Sequence, residues 1–244
     1  MSGGILILLL ALCASFVQRT IGFGFGILIM TMLPLLMPSY GEATTLSGLL
    51  AMFTSMVVTV QMHRFITWKR LLPVLGVFMI VSSVAIFLLP GINDKAIMLV
   101  LGVVLILTSL YFILLSGRIH IRPTLPSQIG TGILSGLMGG FFAMQGPPAV
   151  LYFLSSEKDK EHYLAMISAY LLIGNFATTL VRSANGFMTR EVGVGFLWGI
   201  AGVAAGAFLG AKAFKRIPHK VFDYIVYAYI AFSGVVILLN ALHR

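Results

Sequence analysis

Residues 16–26 read FVQRTIGFGFG and interrupt a first apolar segment that extends over residues 3–37. A second long apolar segment, residues 128–154, is interrupted in the same manner by Gly139-Gly140 and by Gln145-Gly146-Pro147-Pro148. Glycine and proline clusters break helices and leave backbone N–H and C=O groups unpaired. In lipid, such groups need a partner from the protein or from a water-filled cavity. Paired interruptions of this kind are typical of the binding site of a membrane transporter.

The whole chain has the composition of an integral membrane protein. Of its 244 residues, 59% are hydrophobic and 9% are charged, and the mean hydropathy is +1.03. Soluble domains contain roughly 25% charged residues, so this chain lacks the polar side chains that a soluble surface requires. The same shortage excludes disorder and nucleic-acid binding, although the net charge is +9. We expect the basic residues to lie in the connections between membrane spans.

Six further apolar runs are long enough to cross the hydrocarbon core, which requires about 20 residues. Short polar or basic connections separate them, and the connection 117–127 divides the chain into two halves. We predict an all-α polytopic membrane protein with a single transport domain over 1–244, in which repeat 1 is 1–116 and repeat 2 is 128–244. Each repeat is a Gly/Pro-broken helix or re-entrant hairpin followed by three transmembrane helices. The six runs are 43–62, 71–89, 95–116, 162–182, 191–211 and 221–242.

The arrangement of the repeats depends on what the broken segments do. The shared order of elements supports a repeat, as does the match of residues 65–67 to residues 187–189. If each broken segment crosses once, the basic residues divide almost evenly between the two sides. If each is a hairpin, eleven Lys and Arg residues lie in connections on one side and four on the other. The positive-inside rule favours hairpins, which make the two halves inverted, and eight simple spans remain the alternative.

The apolar segments contain positive charge and lack negative charge. All seven acids lie in connections or at span ends, so neither carboxylate-based cation transport nor acid–base catalysis is expected. Arg19 lies within the first segment, and we interpret it either as an anion-binding guanidinium or as a side chain that reaches the membrane interface. Arg182 ends the run 162–182 and has the same two interpretations. Asn175, Thr178 and Thr179 share its helical face, which either lines a cavity or joins helices.

The two breaks supply the other candidate residues. A helix that begins at a break presents N–H groups with partial positive charge, which suit an anion. Two breaks that face each other, with an arginine nearby, therefore predict a site for a small anion. The glycines at 202, 206 and 210 are spaced by four and predict close helix packing instead. The candidate substrate-binding residues are Gln18, Arg19, Gly22, Gly24, Gly26, Gly139, Gly140, Gln145, Gly146, Pro147, Asn175 and Arg182.

Three stretches also carry a family resemblance: residues 16–26 with Pro34, residues 132–142 with 146–152, and the turn at 64–69. Together they resemble the sulfite exporter TauE/SafE family, also called the 4-toluene sulfonate uptake permease family, over nearly the whole chain. The resemblance implies a secondary transporter in the cytoplasmic (inner) membrane. Its implied substrate is a small sulfur-containing anion such as sulfite, a sulfonate or sulfoacetate. The family includes exporters and importers, so the direction of transport stays open.

Other functional classes are less well supported by the sequence. Ser135 precedes Gly136, but no histidine lies in a predicted span to activate it, which disfavours an intramembrane enzyme. An anion channel or a non-transporting scaffold is the remaining alternative. We predict no enzyme activity, no cofactor and no metal site, because Cys13 is the single cysteine and no metal-ligand spacing occurs. The predicted partners are the small anion and the lipid bilayer, with a homodimer as an open alternative.

Overall fold

The computed structural model describes residues 2–115, 121–157 and 159–213, and in the C-terminal segment residues 228, 231–232, 234–239 and 241–242. Every regular element in these residues is helical, as predicted. The helices are α1 (Ser2–Ile21), α2 (Phe25–Ile29), α3 (Leu33–Leu36), α4 (Tyr40–Gln61), α5 (Trp68–Leu88), α6 (Asp94–Leu115), α7 (Leu125–Phe142), α8 (Gly146–Ser156), α9 (Lys160–Ala184) and α10 (Arg190–Ala213).

Six of the described helices are long and apolar enough to cross a membrane, namely α1, α4, α5, α6, α9 and α10. The last five of these correspond to apolar runs predicted from the sequence. Of the sixth predicted run, 221–242, half of the residues lie outside the described ones. The predicted linker 117–127 also lies partly outside them, and α7 begins within it at Leu125. The first limb of the first broken segment, α1, is thus long enough to cross by itself.

Close contact between α1 and α10 depends on glycines. A Cβ atom added to Gly202 or Gly206 of α10 would overlap the backbone carbonyl oxygen of Leu8 or Leu12 of α1, respectively. A Cβ at Gly210 would lie 2.9 Å from the Cβ of Arg19. The three contacts advance in step along both helices, so α1 and α10 run in the same direction. The predicted packing role of these glycines is confirmed.

The same kind of contact joins α7 to α5, but here the glycines belong to α7. Cβ atoms added at Gly132 and Gly136 would lie 2.6 Å and 2.7 Å from the Cβ atoms of Val77 and Val81, respectively. These distances are shorter than real Cβ contacts, so only glycine permits this approach of the two helices. The contacts again advance in step, and α7 therefore runs in the same direction as α5.

The connections between helices meet in two groups at opposite ends of α4. At its beginning, Ser39 and Glu42 form a capping box, and the Thr189 hydroxyl donates a hydrogen bond of 2.6 Å to the Glu42 carboxylate. Beyond its other end, Arg70 forms a salt bridge of 3.3 Å with Glu157. We call these regions the Ser39 end, formed by residues 36–42 and 187–191, and the Arg70 end, formed by residues 62–70 and 156–162.

The centre of the molecule is the pair α4 and α9, which run in opposite directions. Whereas α4 begins at the Ser39 end, α9 begins at the Arg70 end, where Asp159 caps it by accepting a hydrogen bond of 2.9 Å from the His162 N–H. This bond lowers the pKa of the exposed Asp159 carboxyl. Toward the other end of α9, the Arg182 carbonyl accepts a hydrogen bond from the Phe187 N–H in the Ser39 end.

We expect the Gly206→Ala variant to be less stable than the wild type by about 1–3 kcal/mol, because the new methyl group forces α1 away from α10. Gly130→Ala in α7 is the matched control, since nothing lies within 4 Å of its added Cβ. Thermal unfolding of both detergent-purified variants measures the difference. Equal unfolding temperatures for the two variants would contradict the packing role of Gly206.

Candidate functional site

The first break separates α1 from α2 through two glycines with left-handed backbone. The N–H of Gly22 ends α1 by donating to the Gln18 carbonyl at 2.7 Å. Gly22 and Gly24 have φ angles of 93° and 100°, which side chains disfavour because Cβ approaches the backbone carbonyl. The chain then turns into the short α2 at Phe25. The glycines of this motif therefore permit the turn from α1 into α2.

The second break lies between α7 and α8 and has a related geometry with different residues. The predicted interruption at Gly139-Gly140 is wrong: both glycines lie inside α7, where they permit close contact with α5. Ala143 occupies the left-handed position with φ 55°, and it is the non-glycine residue with positive φ in the described part of the chain. The N–H groups of Ala143 and Met144 donate to the carbonyls of Gly139 and Met138, which closes the end of α7. Pro147 lies in the first turn of α8. With Pro148, it starts this helix without adding unpaired N–H groups.

The two breaks touch each other and enclose one cavity. A Cβ atom on Gly26 would overlap the carbonyl oxygen of Ala143, so the two backbones are in direct contact. The adjoining cavity has a volume of about 20 Å³, which is room for about one water molecule. Ala51 and Leu171, near the midpoints of α4 and α9, also line it. The other lining residues are Gln18, Gly24, Phe25, Gly26, Ile27, Met144, Gln145, Gly146 and Asn175, together with Ala143.

Two buried glutamines face this cavity, one from each break. The Gln18 amide donates a hydrogen bond of 2.9 Å to the Ser55 hydroxyl. The Gln145 amide nitrogen donates a longer bond of 3.4 Å to the Leu171 carbonyl, and its amide oxygen has no protein partner. Buried amides normally satisfy all their hydrogen-bonding groups, so an incompletely paired one marks a site for another molecule.

Arg182 is fully buried beside the second break. Its Nη2 atom donates hydrogen bonds of 2.8 Å and 2.9 Å to the carbonyls of Gly139 and Gly140 at the end of α7, and its Nε atom has no partner. No carboxylate pairs with it among the described residues, whose salt bridges are Arg70–Glu157 and His162–Asp159. A buried guanidinium without a counter-charge is costly, so its surroundings favour an anion.

Arg19 has a different environment. It lies in the last turn of α1, is partly exposed, and packs against Gly210 near the end of α10. It is not among the residues that line the cavity. This position resembles that of an interfacial arginine, whose aliphatic stem packs while its charge reaches water.

The twelve candidate residues therefore fall into groups. Six line the cavity: Gln18, Gly24, Gly26, Gln145, Gly146 and Asn175. Gly139 and Gly140 bind Arg182 through their carbonyls, and Pro147 is buried in the first turn of α8. Gly22 lies at the first break, where its added Cβ would meet Leu164 at 3.1 Å. Arg19 lies apart from all of these.

The first half of α4 also contributes polar residues that the sequence interpretation did not select. Residues 40–48 are all buried, although they include Glu42, Thr44, Thr45 and Ser47. Such a polar stretch is costly inside an apolar helix unless it has partners or faces a site. This unusual composition of residues 40–48 was the signal that could have identified them.

The structure separates Ser135 from the histidines of the described residues. Ser135 lies beside the Tyr170 phenol, and the histidines of the described residues, His63 and His162, belong to the Arg70 end. In that part of the chain, no three His, Cys, Asp or Glu side chains come together as a metal site would require. The arrangement consists of hydrogen-bond donors, glycine backbone and one buried cation.

Comparison with known protein families agrees with these features. The family described as "Sulfite exporter TauE/SafE" matches residues 7–237, which include both breaks, most of α1 and all of α2 to α10. A comparison with curated proteins and one with solved structures give no match. The family transports sulfur-containing anions across membranes. The chain belongs to the sulfite exporter TauE/SafE family.

Proposed function

We propose that this protein is a secondary transporter that moves a small sulfur-containing anion, of the sulfite, sulfonate or sulfoacetate type, across the cytoplasmic membrane. The observation that carries the proposal is Arg182, a fully buried cation without a carboxylate partner, beside a cavity that two helix breaks enclose. Discontinuous helices that meet at mid-membrane form the substrate sites of many secondary transporters. Family membership supports the same substrate class.

In this proposal, the two halves form inverted repeats with hairpins at opposite ends. The broken helix α1 of the first half packs in parallel against α10 of the second half, and the broken helix α7 of the second half packs in the same way against α5 of the first. The helices α4 and α9, which hold the same place in each half, are antiparallel. The beginning of α1 lies with residues 36–38 around one cavity, so the first broken segment begins and ends near the Ser39 end. The second segment begins where α5 begins and ends at Glu157, at the Arg70 end. These contacts support hairpins over eight simple spans.

The orientation follows from the charge distribution. In the hairpin arrangement, the four basic connections with their eleven Lys and Arg residues share one side, and the connections 62–70 and 156–162 of the Arg70 end belong to it. The positive-inside rule therefore assigns this end to the cytoplasm. Movement of one half against the other would open the two ends alternately, and contacts such as Arg70–Glu157 and Glu42–Thr189 would break in turn.

The small volume of the cavity indicates that substrate binding needs movement of the breaks. An anion of several heavy atoms exceeds a space for about one water molecule. We propose that α2 and α8 separate and that Gln18, Gln145 and Asn175 then donate hydrogen bonds to the anion. Gly24, Gly26 and Gly146 allow its close approach to the backbone. An oxyanion accepts several such bonds at once.

Thermal unfolding of the purified protein tests the proposed function. We expect sulfite or a related sulfur oxyanion to raise the unfolding temperature in a saturable manner, because a ligand of the folded state adds RT ln(1 + [L]/Kd) to its stability. The panel is sulfite, sulfoacetate, taurine, thiosulfate and sulfate. A choline salt without a sulfur-containing anion, at equal ionic strength, is the control. The absence of a saturable shift with every anion would support the scaffold alternative and overturn the proposal.

A further inference from the structure

The interface between α4 and α9 contains buried polar atoms that lack a protein partner. They are the Tyr40 and Ser47 hydroxyls on α4 and the Thr179 hydroxyl and Arg182 Nε on α9. Each of these side chains is more than nine-tenths buried. An unsatisfied buried polar atom costs about 1–3 kcal/mol. Four of them on two packed helices therefore indicate a place where another molecule supplies hydrogen bonds.

Gly48 on α4 lies directly opposite two of these side chains, Thr179 and Arg182 of α9. The position of an added Cβ on Gly48 lies 3.3 Å from the Thr179 hydroxyl oxygen and 3.9 Å from Arg182 Nη1. It lies 3.9 Å from the Asn175 side-chain amide oxygen as well. A side chain at position 48 would crowd the Thr179 hydroxyl, so glycine is what leaves this point accessible when α4 and α9 move apart.

The groups around this point can all donate hydrogen bonds. In the Arg182 guanidinium, Nη2 binds the carbonyls of α7, whereas Nε has no protein partner. The end of α7 supplies only about half a negative charge, so part of the arginine charge stays uncompensated. The hydroxyl of Thr179 is a donor, and a half rotation of the Asn175 amide presents its NH₂ group. Several donors with a net positive charge match an oxyanion and exclude a cation.

We propose that Gly48, Thr179 and Arg182 form a second anion position, distinct from the cavity between the breaks. It lies closer to the Ser39 end, because Gly48 precedes Ala51 on α4 by almost one turn. Asn175 lines the cavity and borders this position, so it joins the two. A small oxyanion occupies this second position on its way between the central cavity and the Ser39 end. The inference rests on the proposed transport function.

The Thr179→Val variant tests the second position, because it removes the hydroxyl and keeps the shape. In thermal-unfolding titrations with sulfite, we expect its apparent Kd to rise about tenfold, the effect of losing a hydrogen bond to a charged group. Thr178→Val is the matched control on the same helix, since the Thr178 hydroxyl is already bonded to the Gly174 and Asn175 carbonyls. Its Kd should stay at the wild-type value. Gly48→Ala, which fills the position, should weaken binding as Thr179→Val does.

The outcomes separate this inference from the proposed function. Without anion, Thr179→Val should unfold no earlier than the wild type, because the hydroxyl has no protein partner to lose. If the wild type binds sulfite and both Thr179→Val and Gly48→Ala bind it equally well, the second position is refuted while the transporter proposal stands. If the wild type binds no sulfur oxyanion at all, both proposals fail together.

Discussion

The Arg182→Ala variant will bind sulfite about a hundredfold or more weakly than the wild type. Truncation of one member of a buried charge pair costs about 2–5 kcal/mol, and 2.7 kcal/mol corresponds to about a hundredfold. Arg182 is fully buried and has no carboxylate partner among the described residues, so a bound anion would be its counter-charge. Thermal-unfolding titration with sulfite measures the apparent Kd.

Two further variants show whether this loss comes from the charge and from this position. Arg182→Lys should keep part of the affinity, because the ammonium keeps the charge but loses the planar fork that also holds the Gly139 and Gly140 carbonyls. Arg19→Ala should bind almost as well as the wild type, because Arg19 lies against Gly210 outside the cavity. Strong loss in Arg19→Ala together with wild-type affinity in Arg182→Ala would reverse this assignment.

The Gly146→Val variant will fold and insert but will transport sulfite at less than about a tenth of the wild-type rate, since its methyl groups occupy space that the transition state for transport requires. A Cβ at Gly146 meets only Phe23, at 3.7 Å, which is an ordinary contact. Gly146 itself lines the cavity between the breaks. Flux into proteoliposomes that contain the purified variant measures the effect.

Gly76→Val is the control for this substitution. Nothing lies within 4 Å of an added Cβ at Gly76 on α5, so valine there faces open space. We expect its flux to equal that of the wild type. If Gly146→Val transports as fast as Gly76→Val at equal amounts of inserted protein, the anion does not pass between the breaks.

The breaks and the helical packing could be predicted from the sequence because they depend on local chemistry. Glycine and proline clusters favour helix ends, and the breaks fall at the Gly22–Gly24 cluster and just before Gly146-Pro147, although Gly139-Gly140 stay inside α7. Glycines spaced by four allow close helix contact in any bilayer, and Gly202 and Gly206 provide it. These features need no knowledge of which helices are neighbours.

The relative importance of the two arginines could not be predicted, because it depends on long-range contacts. Arg182 seemed to end its apolar run, yet α9 continues to Ala184 and the Arg182 side chain extends to the end of α7. Side chains on helices point toward the N-terminus, which in α9 is toward the protein centre. Arg19 seemed central in a long segment, but the alignment of α1 with α10 places it beside Gly210.

The second anion position was also beyond the sequence. Thr178 and Thr179 are neighbours on the same predicted polar face, and only their contacts distinguish them. Thr178 bonds to its own helix, whereas Thr179 has no protein partner and lies across from Gly48. The polar stretch at 40–48 indicated that α4 faces something polar, but the identity of the partner helix came from the fold.

Flux of radiolabelled sulfite into proteoliposomes tests the central claim most directly. Vesicles with the purified wild-type protein should take up sulfite down its gradient with saturation, and unlabelled sulfite should compete with the label. Protein-free vesicles and vesicles with Arg182→Ala give the background. Uptake by the wild type that exceeds both backgrounds and saturates is the result that the proposal predicts. The proposal would be contradicted if correctly inserted protein took up sulfite no faster than protein-free vesicles do, and if sulfoacetate and thiosulfate were equally inactive.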